Sequence, residues 1–151
     1  KRLDSNEEIG DLIIKSSQLR SLNIGGEIIS TLIDELPILF IACAVSSGVS
    51  KISGIEELRY KESDRIKSME EGLIAIGIKV TSTIDSIEII GGEILGGKIN
   101  SYGDHRIAMA FAIAALVSKK SITIIDTKNI STSFPNFIDL MRDQGADIYE
   151  L

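Results

Sequence analysis

Two stretches of this chain, roughly 70 residues apart, follow the same order of apolar and polar segments. In each stretch an aspartate, Asp34 or Asp104, comes just before an apolar run that ends at Val45 or Val117. Because these runs are apolar on every side of a helix, they predict two buried helices. Each aspartate is expected to cap its helix by accepting hydrogen bonds from free backbone N–H groups. A chain with this duplication is expected to fold as two similar units.

The segments after each buried helix also correspond between the two stretches. Each stretch has a β-rich run, then an amphipathic helix that ends at a glycine, then a closing strand. In the first stretch these lie at 49–55, 66–76 and 78–81. In the second they lie at 121–126, 134–141 and 147–149. Further strands are expected at 11–15, 22–29, 87–90 and 98–100, with hairpin turns at the glycine pairs 91–92 and 96–97. We therefore predict a mixed α/β fold in a single domain covering 1–151, with βαβαββ units at approximately 11–81 and 86–151.

Composition limits the classes of function. The net charge of −6 argues against a general nucleic-acid or membrane-surface binder, which would be basic, but allows an anionic small molecule in a locally basic pocket. The longest apolar run, 107–117, is shorter than the roughly 20 residues that span a bilayer. Cys43 is the only cysteine and is expected to be a small buried side chain. With no signal peptide visible, we expect a reducing, cytoplasmic compartment.

Two clusters of mixed charge lie where apolar segments meet helices. Residues 59–65 read Arg-Tyr-Lys-Glu-Ser-Asp-Arg, and residues 103–106 read Gly-Asp-His-Arg, which contains the only histidine. Arginine offers a fork of donors that suits carboxylate or phosphate, and lysine offers a compact positive charge. A neighbouring carboxylate or imidazole can transfer a proton. The clusters therefore predict a site for an anionic substrate that also needs an acid or a base.

In the first cluster, Lys61 and Arg65 are four residues apart and would share one face of a helix. Glu62 lies between them and is a candidate proton carrier, since burial can raise the pKa that neighbouring cations lower. Ser63 and Asp64 are expected to cap the helix that follows. A solvated helix start held by local ion pairs fits the same pattern.

In the second cluster, His105 and Arg106 lie in the first turn of a buried helix, where free N–H groups and the helix dipole attract anions. The histidine fits either a structural or a catalytic role. Asp34 likewise fits either a plain helix cap or a catalytic base. One histidine and one cysteine far apart lack zinc-ligand spacing, so we expect no metal site. The glycine pairs lack the lysine followed by serine or threonine that a phosphate-binding loop carries.

Four motifs resemble those of one family, 3-phosphoshikimate 1-carboxyvinyltransferase, also called EPSP synthase. Residues 33–37 (Ile-Asp-Glu-Leu-Pro) are similar to its IDExP segment, 58–66 to its LRxKESDRI signature, 103–110 to its DHRxAM segment and 133–137 to its SFPxF segment. The motifs run in the family's order over the whole chain. The resemblance implies the C-terminal portion of a two-domain enolpyruvyltransferase, with about two repeat units of an inverse α/β barrel-like domain.

The resemblance also implies a reaction. The enolpyruvyl group of phosphoenolpyruvate would be transferred to the 5-hydroxyl of shikimate 3-phosphate, with release of phosphate and without a cofactor. Asp34 would contact the hydroxyls of shikimate 3-phosphate and serve as the base candidate, and Lys61 would bind the same substrate. Glu62 would give and take the proton at the enolpyruvyl carbon.

The arginines are the implied ligands of phosphoenolpyruvate. Arg65 and Arg106 would hold it, and His105 would line the pocket; the family's anionic inhibitor glyphosate would be expected to use the same arginines. Many members also place a lysine a few residues before the proline of the last motif. Here residues 129–133 read Asn-Ile-Ser-Thr-Ser, so that lysine is missing, and Lys128 is a possible substitute.

The family's N-terminal segments, which carry further ligands, are not in this chain, so the missing portion is an expected partner. Alone, the chain should bind anions weakly and show little or no transfer, since few contacts must offset the cost of association. Two alternatives remain open: a non-catalytic small-anion-binding or scaffolding domain of the same fold, and a UDP-N-acetylglucosamine enolpyruvyltransferase. An uncovered apolar surface where a third unit would dock predicts self-association or poor solubility.

Overall fold

Strands and helices are interspersed along the chain, as the duplicated segments predict. The computed structural model describes residues 2–4 and 7–150. Its strands are β1 (Arg2–Asp4), β2 (Glu7–Ile9), β3 (Asn23–Ile24), β4 (Val49–Ser53), β5 (Lys79–Ser82), β6 (Ser86–Ile90), β7 (Gly97–Asn100) and β8 (Ile122–Ile125). Its α-helices are α1 (Ile28–Leu32), α2 (Leu36–Ala44), α3 (Arg65–Ala75), α4 (His105–Ala115), α5 (Ile130–Ser133) and α6 (Phe137–Asp143). Two 3₁₀ segments lie at Ile33–Glu35 and Glu56–Tyr60. These elements confirm the predicted mixed α/β class.

A four-stranded sheet in the order β3-β4-β6-β5 forms the first unit. Strand β3 runs parallel to β4 after a crossover through α1 and α2, whereas β6 runs antiparallel to both β4 and β5. Ile52 of β4 lies opposite Ile87 of β6, Ser50 lies opposite Ile89, and all four side chains are buried. Such alternation is what a sheet with one face against the core requires.

The second unit begins in the same way. Strands β7 and β8 pair in parallel after a crossover through α4, and α5 and α6 follow. The order of elements is therefore βαβαββ from β3 to β6, and βαβα from β7 to α6. Strand β6 had been predicted as the start of the second copy, but its pairing with β4 and β5 places it in the sheet of the first unit.

Helices α2, α3 and α4 pack together in the core. The fully buried side chains there include Leu36, Phe40, Ile66, Met69 and Phe111. The buried cysteine that was predicted is confirmed, since Cys43 is 1% exposed and its burial raises the pKa of the thiol. No helix in the described ranges is long and apolar enough to cross a membrane. The packing brings the first turns of α3 and α4 together beside the 3₁₀ segment that precedes α2.

Two predicted strands were wrong, and a third is much shorter than predicted. Residues 11–15 have no regular structure, and 22–29 form a strand only at β3 because the chain turns at Gly26–Glu27 and enters α1. Residues 147–149 are also irregular. A strand needs a neighbour to satisfy its backbone N–H and C=O groups. Strand β5 has β6, whereas none of the described residues pairs with 147–149.

The two glycine pairs are not hairpin turns, which corrects another prediction. The irregular run 91–96 instead connects β6 of the first unit to β7 of the second. Glycine is needed there for close backbone contact: a Cβ on Gly91 would lie 1.8 Å from the carbonyl oxygen of Ser46, and one on Gly97 would lie 2.5 Å from that of Ala75. A lack of space, not a tight turn, explains Gly91 and Gly97.

Candidate active site

Helices α3 and α4 both begin with capping carboxylates. Asp104 accepts hydrogen bonds from the backbone N–H groups of Arg106 (2.9 Å) and Ile107 (3.4 Å), so its predicted capping role is confirmed. Asp64 caps α3 in the same way, with Lys67 N–H at 3.0 Å. These caps satisfy donors that a helix end leaves free and fix the two first turns.

Arg65, the first residue of α3, is buried with 1% of its surface exposed. Its Nε donates to Asp104 Oδ2 (2.8 Å), its Nη1 to Asp34 Oδ1 (3.1 Å) and its Nη2 to Glu62 Oε2 (2.5 Å). Burial alone lowers the pKa of the guanidinium. The hydrogen bond and charge of Asp104, aided by Glu62 and Asp34, raise it by more, so the net pKa lies above the usual value. Arg65 is thus a permanent buried cation that joins three segments of the chain.

Asp104 is the fully buried partner of this cation. Burial alone raises the pKa of its carboxyl, but the hydrogen bond and charge of Arg65, the N–H of Arg106 and the hydroxyl of Ser63 lower it by more. The Ser63 hydroxyl donates to Asp104 Oδ2 at 3.1 Å instead of capping α3, which corrects the role predicted for that serine. Asp104 therefore stays ionised and accepts hydrogen bonds from the first turns of both α3 and α4.

The pairing of Arg65 with Asp104 was not predicted, although the sequence contains a signal for it. Arg65 stands four and eight residues before Met69 and Leu73, both fully buried. That spacing places the arginine on the buried face of α3. A buried cation needs a carboxylate partner, so the spacing implies one without identifying it.

Asp34 does not cap a helix, which corrects its predicted structural role. It lies in the 3₁₀ segment before α2, and the residue at the N-cap position, Glu35, makes no side-chain cap. The Asp34 carboxylate is about half exposed, at 49%, and faces Arg65 Nη1 (3.1 Å), Arg106 Nη2 (3.8 Å) and Lys61 Nζ (3.9 Å). A partly exposed carboxylate surrounded by three cations is the centre of the cluster.

Lys61 precedes α3 and is not on a helix. Its backbone is extended between the 3₁₀ segment 56–60 and the cap of α3, so the predicted helix face shared with Arg65 was wrong. Its Nζ lies 2.5 Å from Glu57 Oε1 and also approaches Asp34. Lys61 and Arg65 therefore meet at Asp34 from different backbone directions.

Arg106 reaches back from α4 to the segment before α2. Its Nη1 donates to the backbone carbonyl of Asp34 (2.7 Å) and to Glu35 Oε1 (3.1 Å), and its side chain is 29% exposed. His105 precedes it on the first turn of α4 and is half-buried. Over residues 2–4 and 7–150, no hydrogen bond holds the imidazole, whose nitrogens are therefore free of protein partners there.

Lys128 lies in the loop between β8 and α5 and is exposed. The next residue, Asn129, donates from its side-chain amide to the carbonyl of Gly103 at 2.5 Å, which holds this loop against the one that leads to His105. The structure therefore brings the loop that carries Lys128 next to the second cluster. Its ammonium forms no ion pair with another residue in the described part of the chain.

The sequence matches a family model over most of its length. The family model described as EPSP synthase (3-phosphoshikimate 1-carboxyvinyltransferase) matches residues 5–141. The chain belongs to the EPSP synthase family. All the site residues described above lie inside the matched range.

Relatives named 3-phosphoshikimate 1-carboxyvinyltransferase agree with this. The chain is 48% identical over 142 residues to the one from Methylococcus capsulatus and 47% identical over 142 residues to the one from Alkaliphilus metalliredigens. These alignments cover 94% and 93% of this chain but only 32% and 33% of the relatives. The chain thus spans about a third of the length of these EPSP synthases.

Solved structures show the same fold. An EPSP synthase structure from Acinetobacter baumannii superposes with a TM-score of 0.80 at 42% identity, covering 83% of this chain and 30% of that one. The enolpyruvyl transferase NikO from Streptomyces tendae superposes with a TM-score of 0.70 at 19% identity, covering 89% and 30%. At that identity, NikO shows only a shared fold.

Proposed function

We propose that this chain supplies part of the active site of an EPSP synthase. The reaction would transfer the enolpyruvyl group from phosphoenolpyruvate to the 5-hydroxyl of shikimate 3-phosphate and release phosphate. The observation that carries the proposal is the half-exposed carboxylate of Asp34 with Lys61, Arg65 and Arg106 around it. Such a cluster offers both acceptors for hydroxyl groups and cations for phosphate and carboxylate.

Asp34 and Lys61 are proposed to bind shikimate 3-phosphate, with Asp34 taking the proton of the reacting hydroxyl. The oxygen of that substrate hydroxyl can then bond to the central carbon of phosphoenolpyruvate while the methylene carbon of phosphoenolpyruvate gains a proton. Because the product keeps a carbon–carbon double bond, that proton must leave again as phosphate departs. Glu62, which is exposed beside Arg65, is proposed to give and then remove it.

Arg106 and Arg65 are proposed to hold phosphoenolpyruvate, with His105 in the same pocket and Lys128 as a further cation. Arg106 is partly exposed and paired with the exposed carboxylate of Glu35, which an incoming anion can displace at low cost. Arg65 is different, since its donors already face carboxylates. We propose that its Nη groups serve the anion while its Nε stays with Asp104.

Substrate binding is proposed to need the rest of the protein as well as this chain. The matched relatives are about three times as long, and few ligands from one chain segment give weak association. We therefore propose that these 151 residues alone have little or no transferase activity. The cytoplasmic location stays a prediction from the sequence.

The test is phosphate release by the intact gene product that contains this chain, supplied with shikimate 3-phosphate and phosphoenolpyruvate. Glu62→Gln should lower kcat by about 10²–10⁴-fold, the range of a lost acid–base group. Arg106→Ala should raise KM for phosphoenolpyruvate. Glu93→Gln, on an exposed carboxylate paired with Lys119, is the matched control and should leave both constants unchanged.

Two outcomes would contradict the proposal. An intact product that binds anions but releases no phosphate would favour the non-catalytic binding domain. A product that turns over UDP-N-acetylglucosamine instead of shikimate 3-phosphate would favour the other enolpyruvyltransferase.

A further inference from the structure

Arg59 makes an unusual set of contacts just outside the proposed site. Its Nη1 donates to Asp64 Oδ2 (2.7 Å), its Nε to the carbonyl of Ile84 (2.7 Å) and its Nη2 to the carbonyl of Thr83. Only 18% of its side chain is exposed. None of these bonds reaches the groups proposed to bind substrate, so Arg59 has a role other than substrate binding.

The bond to Asp64 closes the loop that carries two of the proposed site residues. Asp64 uses its other oxygen, Oδ1, to cap α3 through Lys67 N–H at 3.0 Å. Arg59 lies next to the end of the 3₁₀ segment before the loop, and Asp64 is the N-cap of the helix after it. The ion pair therefore joins both ends of the segment that presents Lys61 and Glu62.

The other two bonds attach this closed loop to a fixed support. Thr83 and Ile84 lie in the turn between β5 and β6. That turn is held internally, since Thr83 Oγ1 bonds Asp85 Oδ1 (3.0 Å) and Ser86 Oγ (2.7 Å). Because its carbonyls belong to a paired hairpin, the guanidinium connects the loop to the sheet of the first unit.

We propose that Arg59 is a positioning residue, which holds the Lys61–Glu62 loop on the β5–β6 turn at the geometry that the transfer reaction needs. The role assigned to Glu62 rests on the proposed function. The planar fork is required, because a lysine ammonium cannot bond a carboxylate and two separate carbonyls in these directions. A displacement of about 1 Å at a reacting group can cost roughly 10²-fold in rate.

The test compares Arg59→Lys, which keeps the charge, with Arg142→Lys in the intact gene product. Arg142 is a matched control, since its guanidinium also bonds one carboxylate (Asp139, 3.3 Å) and one carbonyl (Ile148, 2.8 Å) but lies on α6. The first readout is backbone amide exchange at 61–63 without substrate. The second is kcat and KM for phosphate release.

For Arg59→Lys we expect faster exchange at 61–63 with unchanged exchange in α4, and kcat lowered by about 10–100-fold. The control should change neither. Asp64→Asn, which keeps an oxygen to cap α3 but loses the charge, should act in the same direction, and the double variant should be little worse than Arg59→Lys. A structural role alone would lower Tm and leave kcat of the folded enzyme unchanged.

Unaltered exchange at 61–63 would overturn the proposal, and so would faster exchange spread evenly over the whole chain, since that reports general unfolding. Normal kcat in a variant with a mobile loop would overturn it too. Failure of the proposed function looks different: the unaltered protein would show no phosphate release, while exchange at 61–63 would still respond to Arg59→Lys alone. In that case the result would support the role of Arg59 in holding the loop and would contradict only the proposed reaction.

Discussion

Arg65 and Asp104 form an ion pair with almost no contact with water, at 1% and 0% exposure. Placing two charges out of water is costly, and their attraction offsets that cost only when every donor and acceptor is used. Here the other donors of Arg65 reach Asp34 and Glu62, and the other oxygen of Asp104 caps α4. The pair therefore fixes the two first turns relative to each other at the residue scale.

The first prediction concerns the loss of one partner. Asp104→Asn should destabilise the protein by about 3–5 kcal/mol, because the guanidinium of Arg65 would lose its one fully buried charge partner. Urea unfolding measures this change. Asp139→Asn, which removes an exposed partner of Arg142, should cost less than about 1 kcal/mol. A small cost at Asp104, equal to that of the control, would contradict the role given to the pair.

The second prediction concerns the stability of the folded protein at low pH. The folded state lowers the pKa of Asp104, so this carboxyl contributes stability that is fully present above its unfolded pKa, about 3.9, and is lost as the pH falls through the lower folded value. Stability measured from neutral pH downward should fall in this acid range. In Asp104→Asn that part of the slope should be absent. Equal slopes for both proteins would show that other groups control the acid response.

Some of these residue roles can be predicted from sequence and others cannot. The caps at Asp64 and Asp104 follow from local chemistry, and both were predicted correctly. Asp34 has the same local pattern but lies in a 3₁₀ segment and faces cations instead. The partner of Arg65 is 39 residues away, and only the packing of α3 against α4 brings the two together.

At the scale of elements, α3 and α4 can approach closely because Gly72 has no side chain. A Cβ on Gly72 would lie 2.3 Å from Cζ of Phe111, which is fully buried on α4. The same contact holds the helices at the spacing that lets Arg65 reach Asp104. The distance between the helices is thus coupled to the geometry of the site.

The third prediction is that Gly72→Ala destabilises the protein by about 1–3 kcal/mol, the usual cost of overpacking a core. The gain in helix propensity of about 1 kcal/mol offsets only part of the strain. Thermal unfolding measures the change, and a second substitution, Phe111→Leu, should recover part of it by making room. Gly92→Ala is the control, since the nearest atom to its new Cβ would be 3.9 Å away. A neutral Gly72→Ala would mean that the helices can move apart freely.

The helices were more predictable than the strands, for a physical reason. The apolar spacing that marks α2, α3 and α4 is local, and each of these helices forms within a few residues of its predicted range. A strand depends on a partner that the local residues do not specify. Residues 11–15 and 147–149 have strand-like composition but no partner in the described ranges, whereas β6 pairs with β4 across an intervening helix.

At the scale of the whole molecule, a run of apolar side chains faces water. Leu12, Ile13 and Ile14 are 88%, 85% and 88% exposed, and they are consecutive. Exposed apolar residues are ordinary when scattered, but a contiguous run is a site of association or aggregation. In the matched relatives about two thirds of the protein lies outside the region aligned with this chain.

The fourth prediction is that the isolated 151-residue chain self-associates. Sedimentation should show a mass that rises with concentration, because burying this run removes apolar surface from water. Replacing Leu12, Ile13 and Ile14 with serine should favour the monomer. Leu116→Ser, which removes one exposed apolar side chain outside this run, should not. A monomer at high concentration with all three residues intact would contradict the prediction.

The balance of charge around Asp34 also bears on how fast a ligand arrives. Six carboxylates lie there, on Asp34, Glu35, Glu57, Glu62, Asp64 and Asp104. Five cations oppose them: Arg59, Lys61, Arg65, Arg106 and the proposed further cation Lys128. Before contact, an approaching phosphate therefore meets a net repulsive field from this chain, and dissolved ions screen such a field over about 10 Å at 0.1 M. Glu35→Gln or Glu57→Gln should speed stopped-flow association at low salt, and the advantage should vanish as ionic strength rises. The ion pairs that order the site are thus expected to slow the encounter with its proposed ligand.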